Sequence, residues 1–88
     1  MSENCNPKVK AVCLLQIKPG SLSVCLKALQ TVPEIVKLTT VTGDCDVIAH
    51  IEVDNPDQFH DIFADFIDKI PGIENTKTYV VMREFHMK

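Results

Sequence analysis

From residue 8 to residue 17 the chain alternates, with Val9, Ala11, Cys13, Leu15 and Ile17 on one face of a predicted β-strand. Val12 and Leu14 put apolar groups at the centre of the opposite face, so both faces require cover. Pro19-Gly20 stops the strand and Ser21 is placed as a helix N-cap, after which Leu22, Cys25, Leu26, Leu29 and Val32 recur every three or four residues. That spacing predicts an amphipathic helix of about three turns. Pro33 ends it, because proline lacks an N–H and restricts the residue before it, and a second strand follows over residues 35–42. Gly43 and Asp44 turn the chain into a third strand over 46–53, with Val47, Ala49, Ile51 and Val53 on one face and Ile48, His50 and Glu52 on the other.

Asn55 then caps a second helix, with Pro56 at its first position and Gln58 placed for a capping box. Phe59, Ile62, Phe63, Phe66, Ile67 and Ile70 form its unbroken apolar stripe. Pro71-Gly72 closes it, and residues 73–84, rich in Val, Thr and Tyr, read as a long last strand. Residues 85–88 read as a tail, and residues 1–7, which are polar, as a flexible N-terminal tail before a single domain over 8–88.

The segment Leu29 to Ile35 returns 38 positions later as Ile67 to Ile73, each time a helix end, a proline and a new apolar run. The same offset carries Val9, Ala11 and Cys13 onto Val47, Ala49 and Ile51. Two βαβ units in series predict the α+β class and a ferredoxin-like βαββαβ sandwich, a four-stranded antiparallel sheet with two helices on one face. Val12, Leu14 and Ile48 then lie on the uncovered face, and an apolar patch of that kind marks an interface. The simplest closure is a twofold dimer through that face.

At 88 residues the chain makes one modestly stable domain, for which association would add stability. Its formal charge of -3, with the basic residues scattered, offers no footprint for direct nucleic-acid binding. No apolar run approaches the roughly 20 residues of a bilayer span, and no signal-like segment opens the chain, so a cytoplasmic location is expected. Cys5, Cys13, Cys25 and Cys45 contain no CxxC pair and read as reduced thiols. His50, His60 and His86 share no ligand spacing, so no metal and no cofactor is expected; His50 reads as a histidine satisfied in the interface.

Two groups of residues could carry chemistry. Residues 41–46 gather a hydroxyl, a flexible glycine, a thiol and two carboxylates, although Gly-Asp is ordinary turn chemistry and solvated acids explain it equally well. Thr76 and Thr78 point to one side of the last strand, where threonines are also simply good β-formers.

The succession Val32-Pro33-Glu34-Ile35, Val41-Thr42-Gly43-x-x-Asp46, a helix, Ile70-Pro71-Gly72-Ile73 and Thr76-x-Thr78 resembles the effector domain of Lrp/AsnC regulators, also called the RAM domain. The resemblance runs from about Lys8 to Glu84. It implies a stand-alone form, without the helix-turn-helix that family members usually carry ahead of this domain. It further implies sheet-to-sheet dimers that assemble into rings, with an amino-acid effector held between dimers. Thr42, Gly43, Asp44, Asp46, Thr76 and Thr78 stand at the positions that would hold it. A carboxylate there would accept bonds from the ligand ammonium, while hairpin N–H groups and hydroxyls would hold its carboxylate. Cys45 departs from the pattern, since the family commonly has an aromatic residue at that place.

The repeated acids Asp57, Asp61, Asp65 and Asp68 read as a solvated helix face. Dimeric ferredoxin-like enzymes share the topology, but the inward positions here carry no pair of titratable groups for acid-base work, so no enzyme is expected. The competing reading is a ligand-free adaptor that joins full-length regulators of the same family in mixed assemblies. The expectation is therefore an amino-acid-binding and oligomerising module that modulates transcription of metabolic genes.

Overall fold

The computed structural model describes residues 8–87, so the expectation of a flexible tail at residues 1–7 and the thiol of Cys5 lie outside the described residues. Its elements run β1 (Val9–Ile17), α1 (Leu22–Leu29), β2 (Ile35–Thr40), β3 (Val47–Val53), α2 (Asp57–Asp65) with a 3-10 turn at Ile67–Lys69, and β4 (Ile73–Val80). The strands form one sheet in the order β2-β3-β1-β4, and every neighbouring pair is antiparallel. This is the ferredoxin-like βαββαβ arrangement that the two repeats predict.

Val12 and His50, equivalent under the 38-residue offset, are directly paired in the β1–β3 ladder. The two halves are thus related by a pseudo-twofold axis passing between these residues. Alternation along the strands does the rest. Ala11, Cys13, Leu15 and Ile17 from β1 and Val47, Ala49, Ile51 and Val53 from β3 are buried under Cys25 and Leu29 of α1, Val32, Phe59 and Ile62 of α2, and Ile67. Both helices therefore lie on one face. On the other face Val12, Leu14, Ile48 and His50 are only half-buried.

Several ends differ from the expected ones for identifiable reasons. Helix α1 has eight residues, shorter than expected, because Thr31 donates its N–H and its hydroxyl to the Ala28 carbonyl and tightens the chain into a turn before Pro33. Val32 is buried all the same. Ser21 occupies the cap position of α1 without a side-chain capping bond. At α2 half of the expected capping box forms: Gln58 Oε1 accepts from the N–H groups of Asp54 and Asn55, at 2.6 and 3.0 Å, while no side-chain cap bond reaches the first turn. The apolar stripe of α2 is interrupted, since the helix ends at Asp65 and leaves Phe66 49% exposed, after which the 3-10 turn buries Ile67 completely. Strand β4 ends at Val80, opposite Ala11, and one last bond, Val81 N–H to the Lys10 carbonyl at 2.8 Å, closes the ladder, so residues 81–84 lie outside the strand expected to run to 84.

The Pro71-Gly72 junction of the second half packs against the start of α1 in the first. Lys18 donates to the Gly72 carbonyl at 2.7 Å, and a Cβ on Gly72 would stand 2.6 Å from Ser21 Cβ and 3.1 Å from Cys25 Sγ. Glycine is required there for space as well as for its φ of +99°. Cys13, Cys25 and Cys45 are free thiols. Burial pushes the Cys13 thiol up, with a bond from the Thr78 hydroxyl acting in the opposite direction, and burial likewise raises Cys25.

Candidate functional site

The link between β2 and β3, residues 41–46, reaches past the C-terminal end of β1, and Asp46 fixes it there. The Asp46 N–H donates to the Leu15 carbonyl at 2.9 Å, its own carbonyl accepts from Val41 at 3.0 Å, and its Oδ2 accepts from the Ile17 N–H at 2.8 Å. β3 begins one residue later, so the carboxylate supplies the acceptor that the strand backbone no longer offers to β1. Gln16 adds a long bond, Nε2 to the Asp44 carbonyl at 3.4 Å.

With the hairpin held in this way, a hollow of about 420 Å³ opens on the uncovered sheet face. It is lined by Leu14 and Gln16 from β1, Gly43, Asp44 and Cys45 from the hairpin, and Asn75 and Lys77 from β4. Register explains the gathering: Gln16 pairs with Asn75 and Leu14 with Lys77, and paired residues send their side chains to the same face. The hollow thus combines a carboxylate, an ammonium, two amides, a thiol and an apolar wall. Gly43 holds a φ of +138°, with open space where a side chain would begin.

Of the six residues singled out from sequence, Gly43 and Asp44 line this hollow. Thr42 borders a separate depression with Thr40 and Val41. Asp46 is engaged with β1 as described. Thr76 and Thr78 pair with Leu15 and Cys13, which places them on the helix-covered side of the sheet, and the Thr78 hydroxyl approaches Cys13 Sγ at 3.7 Å. Thr76 borders a smaller hollow beside Ile67 and Asp68. Gln16, Asn75 and Lys77 were missed. The alternation of β4 carried the signal for Asn75 and Lys77, since they flank Thr76 on the opposite face, but it could not say which face meets the hairpin.

The family model for the Lrp/AsnC ligand binding domain matches residues 10–88. The chain belongs to the Lrp/AsnC family. Over 73 residues the domain is 36% identical to the HTH-type transcriptional regulator FL11 of Pyrococcus horikoshii, a match covering 83% of this chain and 48% of that regulator. The chain therefore spans about half of that relative's length. Among solved structures, AsnC of Escherichia coli superposes with a TM-score of 0.87 at 16% identity, over 100% of this chain and 62% of that one. A transcriptional regulator from Neisseria meningitidis, in a complex with L-Met, gives 0.84 at 15% identity, over 93% of this chain and 55% of the other. At those identities the superpositions speak for the Lrp/AsnC fold. Domains of this family bind small-molecule effectors and oligomerise, and among the described residues no helix is long and apolar enough to cross a membrane.

Proposed function

We propose that this Lrp/AsnC domain is a cytoplasmic sensor that binds an amino acid at the hairpin hollow and uses its occupancy to bias assembly, and through assembly the regulation of transcription. The observation that carries this reading is the mixed-charge hollow at residues 43–45 in a domain matched by a ligand-binding family model. Asp44 would accept bonds from the ligand ammonium, while Lys77, with the amides of Asn75 and Gln16, would hold its carboxylate. Cys45 would meet the side chain, and the small thiol leaves room there. Asp46 serves the site by holding the hairpin. Thr42, Thr76 and Thr78 face elsewhere in one copy, so they would reach an effector only from a neighbouring dimer.

The same reading takes the uncovered face, with Val12, Leu14 and Ile48 at its centre, as the contact of a twofold dimer. Dimers then build a ring whose stability differs between the empty and occupied states, because only a ligand with different affinities for two states can shift them. The function is regulatory and involves no catalysis.

The test is a thermal-shift screen against the twenty amino acids, with molar mass followed by light scattering. A ligand present at 100 times its Kd stabilises by about 2.7 kcal/mol, a rise of roughly 10 to 20 °C for a domain of this size. One amino acid or a related few should give that rise, and Asp44→Ala and Lys77→Ala should each remove most of it. A flat screen rejects the sensor and leaves the adaptor reading.

A further inference from the structure

The hydrogen-bonding groups of the hairpin hollow outnumber those that the backbone of an amino acid can use. Its ammonium is met by the Asp44 carboxylate, and its carboxylate accepts only from N–H groups, those of Lys77 and of the Gln16 and Asn75 amides. The carbonyl oxygens of the same amides, Gln16 Oε1 and Asn75 Oδ1, are acceptors that a carboxylate cannot pair. Gln16 and Asn75 stand directly opposite each other in the β1–β4 ladder, so the two amides lie side by side in the lining. Neither oxygen accepts a hydrogen bond among the described residues, whereas Gln16 Nε2 donates to the Asp44 carbonyl at 3.4 Å, which ties the amide to the hairpin through its nitrogen and leaves its oxygen for a ligand.

Charge and apolar surface narrow the choice of ligand. Asp44 and Lys77 are the charged groups of the lining, and the ammonium and carboxylate of a zwitterion use both, so a charged side chain would enter without a counter-ion. Leu14, opposite Ile48 in the β1–β3 ladder, belongs to the face assigned to the dimer, which leaves the thiol of Cys45 as the least polar group for the effector. An aliphatic side chain lying over the amides would strip water from two acceptors and return no hydrogen bond.

We propose that the hollow selects an amino acid whose side chain is uncharged and donates a hydrogen bond, a hydroxyl or a carboxamide, and that Gln16 is the residue that reads it, with Asn75 beside it. A site built to bond such a group rejects the analogue that lacks it, because the site's own polar atoms are then left unpaired. This inference rests on the amino-acid sensor proposed above and names the class of its effector.

Calorimetric titration of the full chain with each of the twenty amino acids tests it. The tightest binder should be serine, threonine, asparagine or glutamine, and its apolar near-isostere, respectively alanine, valine, leucine or methionine, should bind at least about tenfold more weakly. Gln16→Met keeps the length of the side chain and removes the oxygen, and should cut that ratio to about threefold or less; Asn75→Leu should lower it as well. The ratio is the readout, because loss of the amide N–H weakens every amino acid alike. Both side chains are exposed, and circular dichroism checks that the variants fold. Binding by none of the twenty overturns the sensor and this proposal together. A tightest binder outside those four, an apolar isostere that binds within about threefold of it, or a ratio unchanged in Gln16→Met overturns this proposal alone and leaves the sensor standing.

Discussion

Replacing Asp46 should cost the fold much more than replacing Asp44, although the two acids stand two residues apart in one hairpin. The Asp46 carboxylate accepts the Ile17 N–H at 2.8 Å in a half-buried position, and its backbone joins Leu15 and Val41. Asp46→Ala keeps the backbone bonds but strands the Ile17 N–H beyond the end of β3. Loss of a hydrogen bond to a charged acceptor costs about 1.5 to 3 kcal/mol. For a domain of this length, that lowers the melting temperature by about 10 °C. Asp46→Asn keeps a neutral acceptor at the same place and should lose about half as much. Asp44 is exposed, and only its backbone carbonyl takes part in a hydrogen bond among the described residues, so Asp44→Ala should stay within about 0.5 kcal/mol of the parent. Urea unfolding of the four proteins, with equal m-values required, measures these differences. Amide exchange at Ile17 should accelerate in Asp46→Ala and stay unchanged in Asp44→Ala. If Asp46→Ala unfolds at the same urea concentration as the parent, the latch is wrong and Asp46 is free to act on a ligand.

Gly72→Ala should destabilise by at least about 2 kcal/mol in the same assay, since it combines a φ of +99° with a Cβ 2.6 Å from Ser21 Cβ. Gly43→Ala meets no neighbour and should cost only its backbone strain, about 1 to 2 kcal/mol, so the larger loss must fall at Gly72. Among the described thiols, peptide mapping after a short iodoacetamide pulse should find Cys45 modified and Cys13 and Cys25 protected, because burial raises the latter two and blocks access. The sign for stability follows from the same shifts. Below the ordinary thiol range both states keep these protons, whereas at higher pH the unfolded chain releases them first. Stability should therefore fall in the alkaline range, and a Cys13→Ala/Cys25→Ala variant should show a shallower fall.

Strand alternation, helix stripes, prolines at the helix ends and the 38-residue repeat were all readable locally, because each rests on the period of one element or on the chemistry of one turn. They sufficed for the topology and for the division of Ala11, Cys13 and Leu15 from Val12 and Leu14. Element ends were less legible, since Thr31 and Gln58 act through side-chain bonds to backbone three or four residues away, which the period of apolar positions does not register. The site was legible only in part. Gly43 and Asp44 belong to a turn that the sequence announces, but the pairing of β4 with β1 decides that Asn75 and Lys77 face that turn and that Thr76 and Thr78 face the helices. A shift of one residue in that register would exchange the two sets. The role of Asp46 is likewise tertiary: the chain alone shows a carboxylate beside a glycine turn, and only the position of the Ile17 N–H turns it into a latch.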